Sequence, residues 1–302
     1  MLKQETGILL LALGHPYYGR MAYNLAMSIK ACDRATHITL VYNESAIAHI
    51  NQRNMMVFDN KMQYPDTDQP FAVKLKLYEL TPYDRTLYID ADTLWVNKQS
   101  PAILFDQLKG VPFTSITEGM HDFNEPEKSD HSKHYFFWAD LEEIKKHYPV
   151  EKWVRPSDVA SKIIYQWRSE FIYFEKSESV EDLFDLMQII YREAQNFSTV
   201  KKFANHIPDE LAINIATAML YYPPHIYKWR PTFWDRLHLD GMPDIATLQS
   251  SYYVISCGSN ASSGALKRTY DRICAASAYK LGLQHVFPLI SKKEMLTNRQ
   301  LM

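Results

Sequence analysis

Two aspartates stand one residue apart in Asp90-Ala91-Asp92, directly after the short apolar segment 86–89. Alternate residues of an extended chain point to the same side, so both carboxylates are expected to face one ligand. Carboxylates bind hard cations such as Mg²⁺, which also bind the oxygens of a substrate diphosphate. The tripeptide therefore indicates a site where a cation offsets the charge of a leaving diphosphate. The simplest alternative is a solvated turn.

The surroundings of the two aspartates favour the metal site. Apolar residues 94–96 follow them, so the pair is predicted to lie at the rim of a buried sheet, where two like charges are costly without a cation. Ligands of open α/β sheets bind at the carboxyl ends of the strands. Gly14-His15 and Ser256-Cys257-Gly258 also follow apolar strands, and we expect these three strand ends to meet at one site.

Apolar segments typical of buried strands alternate along the chain with amphipathic segments typical of helices. The predicted strands are 7–13, 37–42, 86–89, 93–96, 111–116, 171–174 and 252–256, and the predicted helices are 18–31, 71–80, 101–108, 180–193, one beginning at 209, and 265–281. This order predicts an α/β fold with a mainly parallel central sheet and a C-terminal helical and loop extension. The polar residues 117–135 are predicted to form a surface loop, a candidate mobile cover for the active site.

Composition narrows the class of protein. The 302 residues carry a formal net charge of -2, which gives no field to attract nucleic acid or an anionic membrane. No apolar segment reaches the roughly 18 residues that a membrane helix needs. Three widely spaced cysteines suit a reducing compartment, so we expect a cytoplasmic protein. We expect a catalytic domain over residues 1–235 and an extension over 236–302 packed on it.

Residues 81–95, Thr-Pro-Tyr-Asp-Arg-Thr-Leu-Tyr-Ile-Asp-Ala-Asp-Thr-Leu-Trp, with Lys74 before them, resemble the central signature of GT-A fold glycosyltransferases. The likeness is greatest to family 8, the glycogenin and galactosyltransferase group. It implies a Rossmann-like fold that uses Mn²⁺ or Mg²⁺. By this resemblance Asp92 is a principal metal ligand and catalytic residue, Asp90 contacts the metal or the ribose and donor sugar, and Lys74 lies near the nucleotide or sugar.

The resemblance extends to residues 13–20, at the family's base- and ribose-binding loop, and to residues 209–214, at its acidic motif beside the donor sugar. The candidates for nucleotide-sugar binding are Leu13, Gly14, His15, Tyr17, Lys74, Asp90, Ala91, Lys267 and Arg268. Glu170, Asp209 and Glu210 are further catalytic candidates, for acid and base roles or contacts to sugar hydroxyls. Helix capping is the alternative for the last two.

Two segments depart from the family pattern. No histidine stands within residues 256–268, where the family places its third metal ligand. Lys267 and Arg268 are candidates for the diphosphate there, with a solvated helix face as the alternative. Ser169-Glu170 stands where family 8 has Asn-x-Gly, which leaves the acceptor side and the stereochemistry open.

We therefore predict a metal-dependent glycosyltransferase that moves a hexose from a nucleotide-sugar, with a UDP-sugar favoured, to a hydroxyl acceptor. A glycan, a protein or a modified nucleobase would fit as acceptor, and the oligomeric state is left open. One alternative is a noncatalytic nucleotide-sugar-binding protein. Another is a haloacid-dehalogenase-type phosphatase, which expects Thr or Val at the position of Leu94.

Overall fold

The structure is a computed structural model, and it describes residues 4–67, 69–131, 137–203, 205–225, 227, 230–234, 243–257, 264–283 and 287. Its strands are β1 (Thr6–Ala12), β2 (Ile38–Tyr42), β3 (Asn60–Gln63), β4 (Arg85–Ile89), β5 (Thr93–Trp95), β6 (Phe113–Asp122), β7 (Asp130–His131), β8 (Ile163–Glu175), β9 (Arg230–Trp234) and β10 (Tyr252–Ser256). Its α-helices are α1 (Pro16–Cys32), α2 (Glu44–Ile47), α3 (Pro70–Lys74), α4 (Leu77–Leu80), α5 (Pro101–Gln107), α6 (Leu141–His147), α7 (Glu178–Glu193), α8 (Asp209–Leu220), α9 (Ile245–Ser251) and α10 (Gly264–Leu281).

The chain divides into two compact units. The first unit takes residues 1–68, 86–109 and 227–302, and the second takes residues 69–85 and 110–226. The expected functional boundary after residue 235 stays a prediction, but the compact units follow another division. The reason is that β10 pairs with β5 and β9, and α10 packs on α1, which builds the C-terminal segment into the first unit.

A parallel sheet forms the centre of the first unit. Its strands lie in the order β3-β2-β1-β4, and β2 pairs in parallel with both β1 and β3. The central residues of β1, Ile8, Leu9 and Leu10, are fully buried. A strand covered on both faces reads as a continuous apolar run rather than an alternating one. The predicted α/β class with a mainly parallel sheet is confirmed, as are the first strands and helix.

After the two aspartates the chain enters a smaller sheet of the first unit. Its order is β5-β10-β9, with β10 antiparallel to β5 and parallel to β9. Ser28 connects α1 to this sheet, because its hydroxyl donates to the carbonyl of Leu25 (2.7 Å) and accepts from the N–H of Trp95 (3.0 Å). The buried helix α1 therefore holds the last residue of β5.

An antiparallel sheet and a buried helix form the second unit. The sheet has the order β8-β6-β7, and α8 packs on β8 and α7. Both long strands exceed their predicted lengths. The predicted loop 117–135 is wrong for Asp130–His131, which form β7, and for residues 117–122. These polar residues belong to β6 because their backbone pairs with β8, a pairing that needs no apolar alternation. Residues 132–136 of the predicted loop lie outside the described residues.

The predicted helix 71–80 is two short helices, α3 and α4, in the structure. Leu75 and Lys76 separate them, with N–H groups that donate to carbonyls three residues back. The side chains of Val73, Leu75 and Leu77 are all buried. Residues two apart do not share a face of an α-helix, so burying these three side chains requires the break.

Helices α1 and α2 of the first unit approach each other at a glycine. A Cβ atom added to Gly19 would lie 2.1 Å from the carbonyl oxygen of Ala46, which belongs to the backbone and is not free to rotate away. The absence of a side chain at residue 19 therefore sets the spacing of the two helices.

We expect Gly19→Ala to lower the free energy of unfolding by about 2 kcal/mol or more, because overpacking against backbone forces the helices apart. Urea unfolding followed by circular dichroism measures this. The matched control is Gly264→Ala, where the added Cβ meets only the end of the Arg268 side chain at 3.3 Å, and we expect a change within about 0.5 kcal/mol. Equal effects of the two substitutions would contradict the assigned spacing.

Candidate functional site

The two aspartates of the first unit lie in a tight turn between β4 and β5. The carbonyl of Asp90 accepts from the N–H of Thr93 (3.2 Å) and from its hydroxyl (2.9 Å). The carbonyl of Asp92 accepts from the N–H of Cys257 (2.7 Å), at the end of β10. The expected extended conformation is wrong, because the chain must turn here to leave β4 and enter the smaller sheet. The turn is held by hydrogen bonds at both ends.

Side chains from three strand ends gather at this turn. The hydroxyl of Tyr88 donates to Asp90, and Ala91 between the aspartates is buried. Burial raises the pKa of Tyr17, and the negative charge of Asp92 raises it further. Asp92 thus lies near a residue that follows β1 and one that follows β10, as expected from the strand order.

The loop between β1 and α1 is held by its own hydrogen bonds. Gly14 has φ +83°, a left-handed conformation that favours glycine, and its N–H donates to Asn43 Oδ1 (3.0 Å). Its carbonyl accepts from the hydroxyl of Ser45 (2.9 Å). His15 is the N-cap of α1, and its Nδ1 accepts from the N–H of Tyr17 (3.1 Å). Leu13 is buried. Buried Asn43 and backbone hydrogen bonds therefore hold this loop in place.

The remaining candidates of the first unit lie on α10. Lys267 and Arg268 are exposed in its first turns. Residues 258–263 of the segment that precedes them lie outside the described residues. Their predicted contact with a diphosphate stays a prediction.

Carboxylates of the second unit cluster at the start of α8. This helix begins with Asp209 and Glu210 and is buried over most of its length, so both acidic side chains are buried with it. Lys74, at the end of α3, donates to Ser169 Oγ (3.1 Å) and lies 3.9 Å from Asp209 Oδ2. The positive end of a helix dipole stabilises carboxylates in the first turn, and Lys74 adds a full positive charge.

One arginine lies among three glutamates in this unit. Arg168 Nε is 3.4 Å from Glu118 Oε1 and 3.9 Å from Glu170 Oε2, and Arg168 Nη1 is 3.4 Å from Glu210 Oε1. The side chains concerned are only 8–11% exposed. Glu210 also accepts from Trp138 Nε1 (2.6 Å) and from the N–H of Ser169 (3.4 Å). Glu210 is therefore in contact with donors at both of its oxygens.

Two irregularities in the pairing of β6 with β8 create this arrangement. Thr114 pairs with Tyr173 and Ile116 with Arg168, so residues 169–172 of β8 stand opposite Ser115 alone. The hydroxyl of Ser115 donates to the carbonyl of Phe171 (2.8 Å) and also lies against that of Arg168. At the second irregularity Glu118 is the extra residue of β6. Bulges redirect side chains from their alternating positions, and they place Glu118 and Glu170 near one guanidinium.

The cluster carries an excess of negative charge. Four carboxylates, those of Glu118, Glu170, Asp209 and Glu210, accompany the two cations Arg168 and Lys74. Burial alone lowers the pKa of the Arg168 guanidinium, but the four carboxylates together raise it above its ordinary value. The guanidinium therefore stays charged at every physiological pH.

The predicted site residues fall into two groups. The first unit holds Leu13, Gly14, His15, Tyr17, Asp90, Ala91, Asp92, Lys267 and Arg268, and the second holds Lys74, Glu170, Asp209 and Glu210. Sequence reasoning missed Arg168 and Trp138, and it placed Glu118 in a loop. The alternation of Gln166, Arg168 and Glu170 within an apolar strand was the available signal, since it marks a polar face.

The possible protein ligands for a divalent metal are few. Within the described residues, no group of three or more His, Cys, Asp or Glu side chains is arranged to hold a metal ion. Asp90 and Asp92 supply two carboxylates that are only partly exposed. Mg²⁺ is usually held by one or two carboxylates together with substrate phosphates and water, so two aspartates suffice for a metal that binds with its substrate.

Comparison with solved structures shows the GT-A fold. A crystal structure of the galactosyltransferase LgtC with donor and acceptor sugar analogs is 13% identical in sequence, with a TM-score of 0.50, and the match covers 93% of this chain and 97% of that one. An active-site mutant of LgtC is 12% identical, with a TM-score of 0.50 and coverages of 89% and 95%. No family model and no curated protein matches the sequence. Within the described parts, no helix is long and apolar enough to cross a membrane.

We expect Cys257 and Cys274 of the folded protein to resist alkylation at about pH 8, because the thiolate is the reactive form and its fraction falls as the pKa rises. Burial raises the pKa of Cys274 to about 12, and burial together with Asp92 raises that of Cys257. Half-buried Cys32 should react first. Iodoacetamide labelling with peptide mass mapping checks this order. Labelling of native Cys257 as fast as in the denatured chain would refute its burial beside Asp92.

Proposed function

We propose that this chain is a metal-dependent glycosyltransferase that moves a hexose from a nucleotide-sugar to a hydroxyl acceptor. The observation that carries the proposal is the turn Asp90-Ala91-Asp92 at the end of β4 in a GT-A fold, with its backbone hydrogen-bonded to Thr93 and Cys257. This position is where open α/β sheets bind their ligands. Hydrogen bonds at both ends of the turn fix the two aspartates before any substrate arrives.

Mn²⁺ or Mg²⁺ is the proposed cofactor, held by the carboxylates of Asp90 and Asp92. Such a cation neutralises the charge that develops on the departing diphosphate. The hydroxyl of Tyr88 orients Asp90, and the buried phenol of Tyr17 lies near Asp92. The contact from Tyr88 limits the orientation of the Asp90 carboxylate, which favours binding of a substrate that already carries its metal.

The buried carboxylates of the second unit are proposed to act on the sugar. The bond from the anomeric carbon to the diphosphate breaks, a bond to the acceptor oxygen forms, and the acceptor's proton passes to the departing diphosphate and from there to solvent. Positive charge develops on the sugar in such reactions, as in glycoside hydrolysis. The excess negative charge around Glu210, Asp209 and Glu170 would stabilise it electrostatically. Lys74 keeps Asp209 and Ser169 in place.

A UDP-hexose is the donor to test first, because the sequence resemblance points to family 8. The LgtC crystal structure contains donor and acceptor sugar analogs, which supports a glycan as the first acceptor. A protein and a modified nucleobase remain further acceptors to screen. The three cysteines form no disulfide, which fits the predicted cytoplasmic location.

We expect Asp92→Ala to lower the rate of UDP release from a UDP-hexose at least about 100-fold, equivalent to about 2.7 kcal/mol in the barrier, because the metal loses a ligand. A coupled assay for UDP with and without added Mn²⁺ measures this. The matched control is Asp106→Ala on α5, an exposed aspartate of the same unit, which should leave the rate unchanged.

Three outcomes of this assay would count against the proposal. Activity that survives chelation of divalent metals would contradict the role of the cation. An active Asp92→Ala variant would contradict the role of the turn. Binding of UDP-hexose by calorimetry without turnover, with a full panel of acceptors present, would instead support a noncatalytic nucleotide-sugar-binding protein.

A further inference from the structure

Glu210 is held by donor groups at both carboxylate oxygens. Trp138 Nε1 reaches one oxygen at 2.6 Å, and the N–H of Ser169 and Arg168 Nη1 each reach the other at 3.4 Å. An indole N–H, a backbone N–H and a guanidinium can only donate. Donors at both oxygens therefore hold the Glu210 side chain in a single orientation.

Arg168 supplies the positive charge that stabilises the buried Glu210 carboxylate. The side chain of Glu210 is about one-tenth exposed, and Glu118 and Glu170 crowd the same guanidinium from β6 and β8. Like charges at such spacing oppose ionisation unless a cation lies among them. Lys74 cannot take this role, because it contacts Ser169 and Asp209 instead.

The other titratable groups that face α8 do not offset this charge. Asp209 adds a further carboxylate beside Glu210 at the start of the helix. On α7, burial and the charge of Asp209 raise the pKa of Tyr191 to about 12, so its phenol stays neutral. The charge at Glu210 thus depends on Arg168 more than on any other described neighbour.

We propose that Arg168 is a positioning residue, which fixes the Glu210 carboxylate in one orientation for the transfer reaction. The inference rests on the proposed function for its catalytic part, since Glu210 is one of the carboxylates assigned to the sugar. Arg168 faces Glu118 and Glu170 with Nε and Glu210 with Nη1. A lysine carries its charge on one nitrogen at the end of a flexible stem, so it cannot occupy both of these guanidinium positions at once.

Steady-state kinetics of Arg168→Lys test the catalytic part. We expect kcat to fall about 30-fold or more with the KM for the donor within about 3-fold, since the loss falls on a group that acts in the transition state. The exposed Arg272→Lys on α10 is the matched control.

Two further variants show whether a loss of activity comes from a loss of stability. Arg168→Met removes the cation nearest to three buried carboxylates, and the double variant with Glu118→Gln removes one of those charges. We expect the double variant to regain stability, because it restores part of the charge balance. An unchanged kcat in folded Arg168→Lys would overturn the proposal while the proposed function stands.

A readout without substrate separates the two proposals. The ¹H–¹⁵N resonance of the Trp138 indole, assigned by its loss in Trp138→Phe, reports on the bond to Glu210. We expect its chemical shifts at neutral pH to differ between the parent chain and Arg168→Lys, because the Glu210 carboxylate that accepts this hydrogen bond loses its fixed orientation. Identical chemical shifts would overturn the positioning role. A parent chain inactive toward every donor would refute the proposed function, and this resonance would still decide the role of Arg168.

Discussion

A single hydrogen bond between backbone groups, from the N–H of Cys257 to the carbonyl of Asp92, ties the first unit together at its candidate site. It joins the end of β10 to the turn that follows β4, two points separated by more than half of the chain. The pairing of β5 with β10 continues from this bond, with Ser256 opposite Thr93. The same turn carries both aspartates. The pairing of β5 with β10 therefore also fixes the geometry of the candidate site.

Buried charge is the corresponding constraint in the second unit. A carboxylate taken from water into a protein interior needs both a cation and hydrogen-bond donors. The sequence meets this need with Arg168 on β8, Lys74 on α3 and the indole of Trp138. Such a network adds little net stability compared with apolar packing, so its presence in a buried place points to function rather than to folding.

Much of the first unit was predictable because its signals are local. The apolar run of β1, the strand β10 and the helix α10 follow from continuous patterns in the sequence, and the two aspartates stand out at the end of β4. The conformation of their turn was not predictable, because it depends on pairing with β10, far away in the chain. A tripeptide alone cannot reveal such a partner.

The second unit was less predictable for a physical reason. Residues 117–122 of β6 are mostly polar and carry a bulge at Glu118, so they were predicted as a loop. The role of Arg168 depends on which residues of β6 and α8 lie beside it, and local sequence does not reveal these neighbours. The break between α3 and α4 was also not predictable from the sequence, because tertiary packing decides that Leu75 is buried. Long-range pairing, rather than local propensity, decides these features.

The division of the chain between the two units has a consequence for synthesis. The first unit needs residues 252–281 for β10 and α10, so it cannot be complete until nearly the whole chain has left the ribosome. The second unit is drawn from residues 69–226, so all of its residues emerge earlier. Until β10 arrives, β5 has an unpaired edge and α1 lacks its cover from α10. Chaperone protection of that edge is most needed late in translation, when aggregation through exposed strands competes with folding.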